Sequence, residues 1–296
     1  MKVMVLDIGG TCVKSAVYQE GDLLDVRESP SEARFGGRYL MEKAEDIISS
    51  YWTQYEFERI GISTTGQVDP MEGRILYANQ NVPDYTGTRV REQMEAAFGM
   101  PVTVENDVNA AGIGEAVFGA GIGQRHFICM TIGTGIGGAV FLDGRLYRGS
   151  SFSAGEFGAM VMYPGQRDAS RDMFSGCYEK FASTTALVER VRRSCPQITD
   201  GRAVFAHLDD GAVREIVDDW IGEIVNGIVT LIHIFNPAAL IIGGGVTEQD
   251  YVFSAVRERV RREIIPVFRN VVIRKAVLGN MAGMYGVGAL AEGIRL

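Results

Sequence analysis

The feature that most restricts what this chain can fold into is an internal repeat. Near the N-terminus a short apolar strand, Lys2 to Asp7, runs into Gly9-Gly10-Thr11. Val13 to Tyr18 then resumes a strand pattern before the turn at Glu20-Gly21-Asp22. The same order returns after the glycine-rich break Gly119 to Gly123. Phe127 to Ile132 is apolar, Gly133-Thr134-Gly135-Ile136-Gly137-Gly138 follows, Ala139 to Leu142 resumes a strand, and Asp143-Gly144 turns. Leu6-Asp7-Ile8-Gly9 aligns with Met130-Thr131-Ile132-Gly133. After a one-residue shift, Ala16-Val17-Tyr18 aligns with Ala139-Val140-Phe141 and Gly21 with Gly144. Recurrence of one supersecondary unit predicts two related α/β domains facing each other across a central cleft, each offering a glycine-rich hairpin turn. The break at Gly119 to Gly123 is the expected boundary. It separates an N-terminal domain over residues 1–118 from a larger one over 119–280, with a final helix at about 281–296 packing back on the first.

Periodicity fills in the rest. Apolar positions at three- and four-residue spacing predict helices over Arg38 to Tyr55, Thr88 to Phe98, Asp107 to Phe118, Tyr178 to Arg193, Ala212 to Ile234, Tyr251 to Ile264 and Ala282 to Ile294. Short apolar runs predict strands at Arg59 to Ser63, Ile75 to Tyr77, Val102 to Val104, Ala239 to Ile242 and Val271 to Leu278. Residues 145 to 180 carry little periodicity.

Several function classes drop out at this level. The net charge of −8 opposes binding to a phosphate backbone, so no nucleic-acid partner is expected. No apolar run approaches the roughly 20 residues needed to cross a bilayer. Val3 to Gly10 is too short and does not end in a cleavage site. The expectation is a cytoplasmic chain with no membrane partner. Its four scattered cysteines, Cys12, Cys129, Cys177 and Cys195, stay reduced there and lack the spacing of a metal or redox pair.

Three glycine-rich turns follow three strands: Gly9-Gly10-Thr11, Gly133 to Gly138 and Gly243 to Gly245. Any one could simply make a tight turn. Together they favour a phosphate-bearing ligand, because glycines let backbone N–H groups approach phosphate closely. Neither a P-loop nor a dinucleotide fingerprint is present. Phosphoryl transfer needs phosphate cradles, a divalent cation, and a carboxylate that takes the acceptor's proton. Asp7, just before the first turn, could hold Mg²⁺ through water. Asp107 sits at a strand-to-helix junction, in Glu105-Asn106-Asp107, where a ligand can reach it. Asn and Asp are also ordinary helix caps, so that stretch alone reads either way.

Six motifs in order carry a resemblance: Asp7-Ile8-Gly9-Gly10-Thr11, Glu105-Asn106-Asp107-Val108-Asn109-Ala110, Gly133 to Gly138, Ala154-Gly155-Glu156-Phe157-Gly158, Gly176-Cys177-Tyr178-Glu179 and Ile242-Gly243-Gly244-Gly245. Nearly the whole chain resembles the ROK family, which comprises bacterial sugar kinases and sugar-responsive repressors on the actin/hexokinase-like (ribonuclease H-like) fold. The resemblance implies an ATP-dependent sugar kinase, with ATP and Mg²⁺, in a cytoplasmic homodimer. Asp107 matches the general base for the sugar 6-hydroxyl. Asn106, Glu156 and Glu179 match residues that bind other sugar hydroxyls. Thr65 and Gly66 match the loop lining the sugar pocket, although the family often has proline where Thr65 stands. Gly9, Gly10, Thr11, Thr134 and Gly135 match phosphate contacts and Gly244 the turn under the adenosine. Lys14 and Gly245 complete the expected nucleotide set.

The chain also departs from the family. Many members hold a structural zinc through a histidine and a cysteine-rich run. Here the histidine position is Ala159, the first two cysteine positions are Ser170 and Asp172, and only Cys177 remains. Structural zinc takes four N/S ligands, so none is expected. The missing histidine borders the sugar pocket, and zinc-less members resemble β-glucoside kinases as well as glucokinases and N-acetylmannosamine kinases. The alternatives are a family-type transcriptional regulator or a non-catalytic sugar-binding protein. Against the first, Asp7 stands too near Met1 for a preceding DNA-binding region. Against the second, Asp107 and both phosphate turns are retained.

Overall fold

The computed structural model describes residues 1–296. Two compact units divide the chain. Unit 1 comprises residues 1–123, 139–154 and 278–296; unit 2 comprises residues 124–138 and 155–277.

Unit 1 begins with β1 (Lys2–Ile8), β2 (Cys12–Gln19) and β3 (Asp22–Pro30), then α1 (Gly37–Trp52) and β4 (Arg59–Thr64). A small hairpin of β5 (Gln67–Asp69) and β6 (Arg74–Tyr77) follows, then α2 (Val90–Phe98), β7 (Val102–Asn106) and α3 (Asp107–Phe118). The sheet runs β3-β2-β1-β4-β7. Its first three strands are antiparallel neighbours, and β1, β4 and β7 are parallel. Parallel strands covered on both faces read as continuous apolar runs, and β1 does. Alternate side chains leave opposite faces of a strand, so β1 feeds two cores. Met4, Leu6 and Ile8 pack with Leu40, Met41 and Ile48 of α1 and Met94 of α2. Val3 and Val5 pack with Ala110 of α3 and with Met284, Val287 and Ala291 of the closing helix.

The second glycine turn joins β8 (Phe127–Ile132) to β9 (Ile136–Leu142), and β10 (Arg145–Tyr147) follows. Next come α4 (Glu179–Ala182), α5 (Thr184–Ser194), α6 (Gly201–Ala206), α7 (Gly211–Phe235), β11 (Ala239–Gly243), α8 (Asp250–Glu263), β12 (Val272–Lys275) and α9 (Ala282–Glu292). The second sheet runs β10-β9-β8-β11-β12, with β8, β11 and β12 parallel. Each sheet therefore has three consecutive strands continued by two parallel strands; the repeat implied the glycine-turned hairpin that begins each. In unit 2, α7 buries Val217, Trp220, Ile221, Ile224 and Ile228. No helix is long and apolar enough to cross a membrane.

Several local expectations are corrected. The second strand of the second repeat starts at Ile136, not Ala139. Gly137 and Gly138 therefore lie inside it, and the turn proper is Gly133-Thr134-Gly135. A Cβ on Gly138 would enter the ring of Phe157, so this glycine answers a packing need. The helix expected over Tyr178 to Arg193 is two helices broken at Ser183. That residue's Oγ accepts the Ala186 N–H, and its carbonyl accepts the indole N–H of Trp220. The polar edge strand β3 was not anticipated, because its residues alternate only between half-buried and exposed. Helix α1 stops at Trp52 rather than Tyr55.

Helices α3 and α9 meet almost backbone to backbone. A Cβ on Gly286 would run into the Ala110 carbonyl, and one on Gly114 into the Ala282 carbonyl. Glu115, near the end of α3 and 1% exposed, accepts the N–H groups of Ala120 and Leu278. It thereby ties the segment where the chain first leaves unit 1 to the segment where it finally returns. Gly286→Ala improves helix propensity by up to about 1 kcal/mol, but overpacking typically costs 1–3 kcal/mol or more. The expected net result is a lower urea midpoint; an unchanged or raised midpoint would refute the close-contact account.

Candidate active site

In unit 1 the strand register collects the predicted residues at one end of the sheet. Asp7 of β1 stands opposite Ser63 of β4, which stands opposite Glu105 of β7; the next row is Ile8, Thr64, Asn106. The carboxyl ends of parallel strands are where ligands bind in open α/β sheets. Here they carry Asp7, Thr65-Gly66, and Asn106-Asp107.

Asp7 is tightly held. Ser63 Oγ donates to its Oδ1 at 2.6 Å and Lys14 Nζ to its Oδ2 at 3.3 Å. Lys14 lies directly across the hairpin from Asp7. Burial pulls the Lys14 ammonium down, but the Asp7 carboxylate, with Cys12 and Glu28 behind it, outweighs burial and holds the group above its ordinary value. Desolvation likewise raises the Cys12 thiol, partly offset by Lys14.

Asn106 joins the other pieces. Its Oδ1 accepts the N–H groups of Val108 and Asn109 at 3.0 Å each, making it the N-cap of α3. Its Nδ2 donates to the Gly66 carbonyl at 2.9 Å and to Asp107 Oδ1 at 2.8 Å. A primary amide has two donor hydrogens and two acceptor lone pairs; all four are engaged. Asp107 Oδ1 also accepts its neighbour's N–H, from Val108, at 2.9 Å. The carboxylate lies at a helix N-terminus, where the dipole favours negative charge. Capping and function coincide here: Asn106 is the cap, and it aims Asp107. Gly66 has φ +94°, and a Cβ there would lie 2.9 Å from the Tyr77 carbonyl.

The two glycine hairpin turns share a feature that sequence reading missed. In the first, Ser31 Oγ donates to the Gly10 carbonyl at 2.8 Å and Ser31 N–H to the Thr11 carbonyl at 2.9 Å. In the second, Thr184 N–H donates to the Gly133 carbonyl and Thr185 Oγ1 to the Thr134 carbonyl, each at 2.8 Å. Engaging these carbonyls with protein donors withdraws the oxygens that would repel a phosphate; the amides of such turns form anion-binding concavities. A Cβ on Gly10, Gly133 or Gly245 would meet nothing within 4 Å, so there is open space at each turn. Ser31 lies 20 residues beyond Thr11, and Thr184 and Thr185 lie further from their turn. No sequence pattern flags them.

In unit 2, Glu179 opens α4, and its Oε2 accepts the Ile136 N–H at 2.9 Å. A Cβ on Gly135 would collide with that carboxylate. Glu179 and the Thr134-Gly135 turn are thus one packed group. Glu156 is exposed, immediately before a short 3-10 turn, Phe157–Ala159. Gly243 pairs with Thr131, which places the Gly243 to Gly245 turn beside the second hairpin turn. Gly244 has φ +99°, and a Cβ there would overlap the Ile132 carbonyl. Close backbone packing is by itself reason enough for glycine at 244.

The positions that the family resemblance assigns to zinc are tied into other contacts. Ser170 Oγ donates to Asp168, Lys180 pairs with Asp172 at 2.9 Å, and Arg167 Nη1 donates to Cys177 Sγ and to the Met173 and Ser175 carbonyls. No group of three or more His, Cys, Asp or Glu side chains is arranged to hold a metal ion.

Comparison with known proteins accords with this geometry. The family model described as ROK family matches residues 3–294. The chain is 31% identical to a glucokinase of Streptomyces coelicolor, with 97% of this chain and 96% of that protein covered. It is also 31% identical to a beta-glucoside kinase of Listeria monocytogenes, again covering 97% and 96%. It superposes on a ROK family glucokinase from Streptomyces griseus in complex with glucose and AMPPNP with a TM-score of 0.84, at 28% identity and 99% coverage of each chain. The fold is the actin-like one of the ROK sugar kinases.

The Asn106 bonds predict the behaviour of two variants. Asn106→Ala removes the cap and costs about 0.5–2 kcal/mol of stability. Asn106→Ser loses the same Nδ2 donors but keeps a capping oxygen for the α3 amides, so its loss should be smaller. Urea denaturation of both proteins checks this; equal losses would mean that the cap carries nothing.

Proposed function

The chain belongs to the ROK family and is an ATP-dependent sugar kinase, and from that premise we propose that it transfers the γ-phosphate to the 6-hydroxyl of a hexose or hexoside, with Asp107 as general base. The observation that carries this reading is the Asp107 carboxylate at the head of α3, with Oδ1 held by Asn106 Nδ2 and the Val108 N–H. We assign proton acceptance to this carboxylate. The O–H bond of the 6-hydroxyl breaks as its proton passes to Asp107. The sugar oxygen forms the new bond to the γ-phosphorus, and the bond to the bridging oxygen breaks, leaving its electron pair on ADP. Such a step depends on positioning and electrostatics, and unit 1 supplies an aimed carboxylate for it.

The remaining roles follow. Thr65, Gly66, Asn106, Glu156 and Glu179 bind the sugar. A sugar hydroxyl at Asn106 replaces one of its four internal partners. Gly9, Gly10, Thr11, Lys14, Thr134, Gly135, Gly244 and Gly245 serve the nucleotide, and the carbonyl ties at both hairpin turns support that role. Mg²⁺, which neutralises phosphate charge when bound, would be held by Asp7 through water. Lys14 already takes part of that carboxylate, so direct coordination fits less well. Glucose, a β-glucoside and N-acetylmannosamine are the candidate sugars. On the family resemblance, a methyl at Ala159 in place of an imidazole would leave room for a substituent at the anomeric carbon unless a neighbouring side chain fills it. We take the enzyme to be cytoplasmic and to work as a homodimer.

Asp107→Asn should lower kcat by at least about 10²-fold, the usual contribution of a general base, while sugar binding by calorimetry persists. Near-normal turnover would sink the assignment. In an ADP-release assay over hexoses and β-glucosides, at least one sugar should turn over and its 6-deoxy analogue should not. Metal analysis should find well under one zinc per chain; stoichiometric zinc would overturn the zinc-free reading.

A further inference from the structure

Glu105 is a buried carboxylate that the reaction above does not use. It is 1% exposed and precedes Asn106 at the end of β7. Its Oε1 accepts the Asn106 N–H at 3.0 Å and Asn109 Nδ2 at 3.2 Å. Its Oε2 accepts Arg148 Nε at 3.1 Å and Nη2 at 2.7 Å. Arg148 lies one residue past β10, within the same unit, and is itself mostly covered, at 22% exposure.

Stability alone is a poor account of this pair. Desolvating two charges costs several kcal/mol per ion, and well-packed apolar residues in their place are often as stable or more so. Nor is Glu105 needed as a cap, since Asn106 already caps α3. What its bonds do share is location. The Asn106 peptide and the Asn109 side chain bracket Asp107, one before it and one in the first turn after it. Arg148 supplies the opposing charge and fixes which oxygen faces which partner. Farther along the Arg148 segment, Ser153 Oγ donates to Gln67 Oε1 at 3.2 Å, beside Gly66, whose carbonyl receives Asn106. The segment 148–153 therefore braces the Asn106-Asp107 corner from two directions.

We propose that Glu105 and Arg148 are a positioning pair for the Asp107 carboxylate: the guanidinium orients the buried Glu105, which locks the Asn106 peptide and the first turn of α3. This rests on the reading of Asp107 as the base. Neither residue touches the sugar; they act on the rate through the aim of Asp107. A misplacement of about 1 Å at a reacting group can cost up to 10²-fold in rate, so the pair should appear in kcat rather than in KM.

The test compares Arg148→Met, Arg148→Lys, Glu105→Gln, the double variant Glu105→Gln/Arg148→Met, and Asp107→Asn, each after a thermal melt. Expected are losses in kcat of about 10-fold or more for Arg148→Met and for Glu105→Gln, with KM for the sugar within threefold of wild type. The double variant should be no slower than the worse single, and Arg148→Lys should recover part of the rate. The proposal is overturned if both singles keep kcat within twofold, if KM rises while kcat holds, or if the two losses multiply. Arg148→Met leaves a lone buried charge; if it does not fold, the double variant and Arg148→Lys carry the comparison. If those also fail to fold, the pair is structural and the proposal fails. Asp107→Asn separates the two readings. Turnover in that variant defeats the base assignment itself, whereas an inactive Asp107→Asn beside active pair variants defeats only the pair.

Discussion

The side-chain amide of Asn106 is the contact on which the rest of unit 1's site depends. One group of four polar positions closes the N-terminus of α3, holds the Gly66 carbonyl, and turns Asp107 Oδ1 toward the helix. An unsatisfied helix N-terminus beside a buried strand end is costly, so the cap would be present without any function. Function takes advantage of it: the residue that satisfies the helix also sets the direction of the neighbouring carboxylate. Glu105, buried beneath it, extends this arrangement to Arg148.

A second constraint is closeness of backbone. Glycine at 286, 244 and 135 is required because a carbonyl or a carboxylate occupies the space a side chain would need. Where Gly10, Gly133 and Gly245 stand, the reverse holds, and the space is open. The glycines of the three turns thus fall into two physical classes, one serving packing and the other access. Anion binding calls for access. The two hairpin turns add the same device, a hydroxyl-bearing residue from elsewhere in its own unit that engages the turn's carbonyls.

Much of the fold was legible because its signals are local. The repeat, the parallel-strand apolar runs and the long stripe of α7 are patterns within a few residues. Where the pattern misled, a distant partner decided. Gly137 and Gly138 read as turn because glycine usually punctuates strands, yet Phe157 needs Gly138 inside β9. Ser183 breaks a helix because Trp220 binds its carbonyl. The strand β3 lies at a sheet edge with one half-buried face, so its alternation was too weak to read.

From the sequence alone came the two related α/β halves, the three glycine turns, the six ordered motifs of the ROK family, and Asp107 as the carboxylate to watch. All of these are encoded in residue type and spacing along the chain. The tertiary structure decided what holds those pieces in place. It showed that Asn106 spends its whole amide on the α3 cap and its neighbours, that Ser31, Thr184 and Thr185 fix the turns, and that Arg148 neutralises Glu105. The partners of Ser31, Thr184, Thr185 and Arg148 lie 20 to 51 residues away along the chain. Hydrogen bonds and ion pairs act over a few ångströms of space, and only the folded sheet register brings such residues that close.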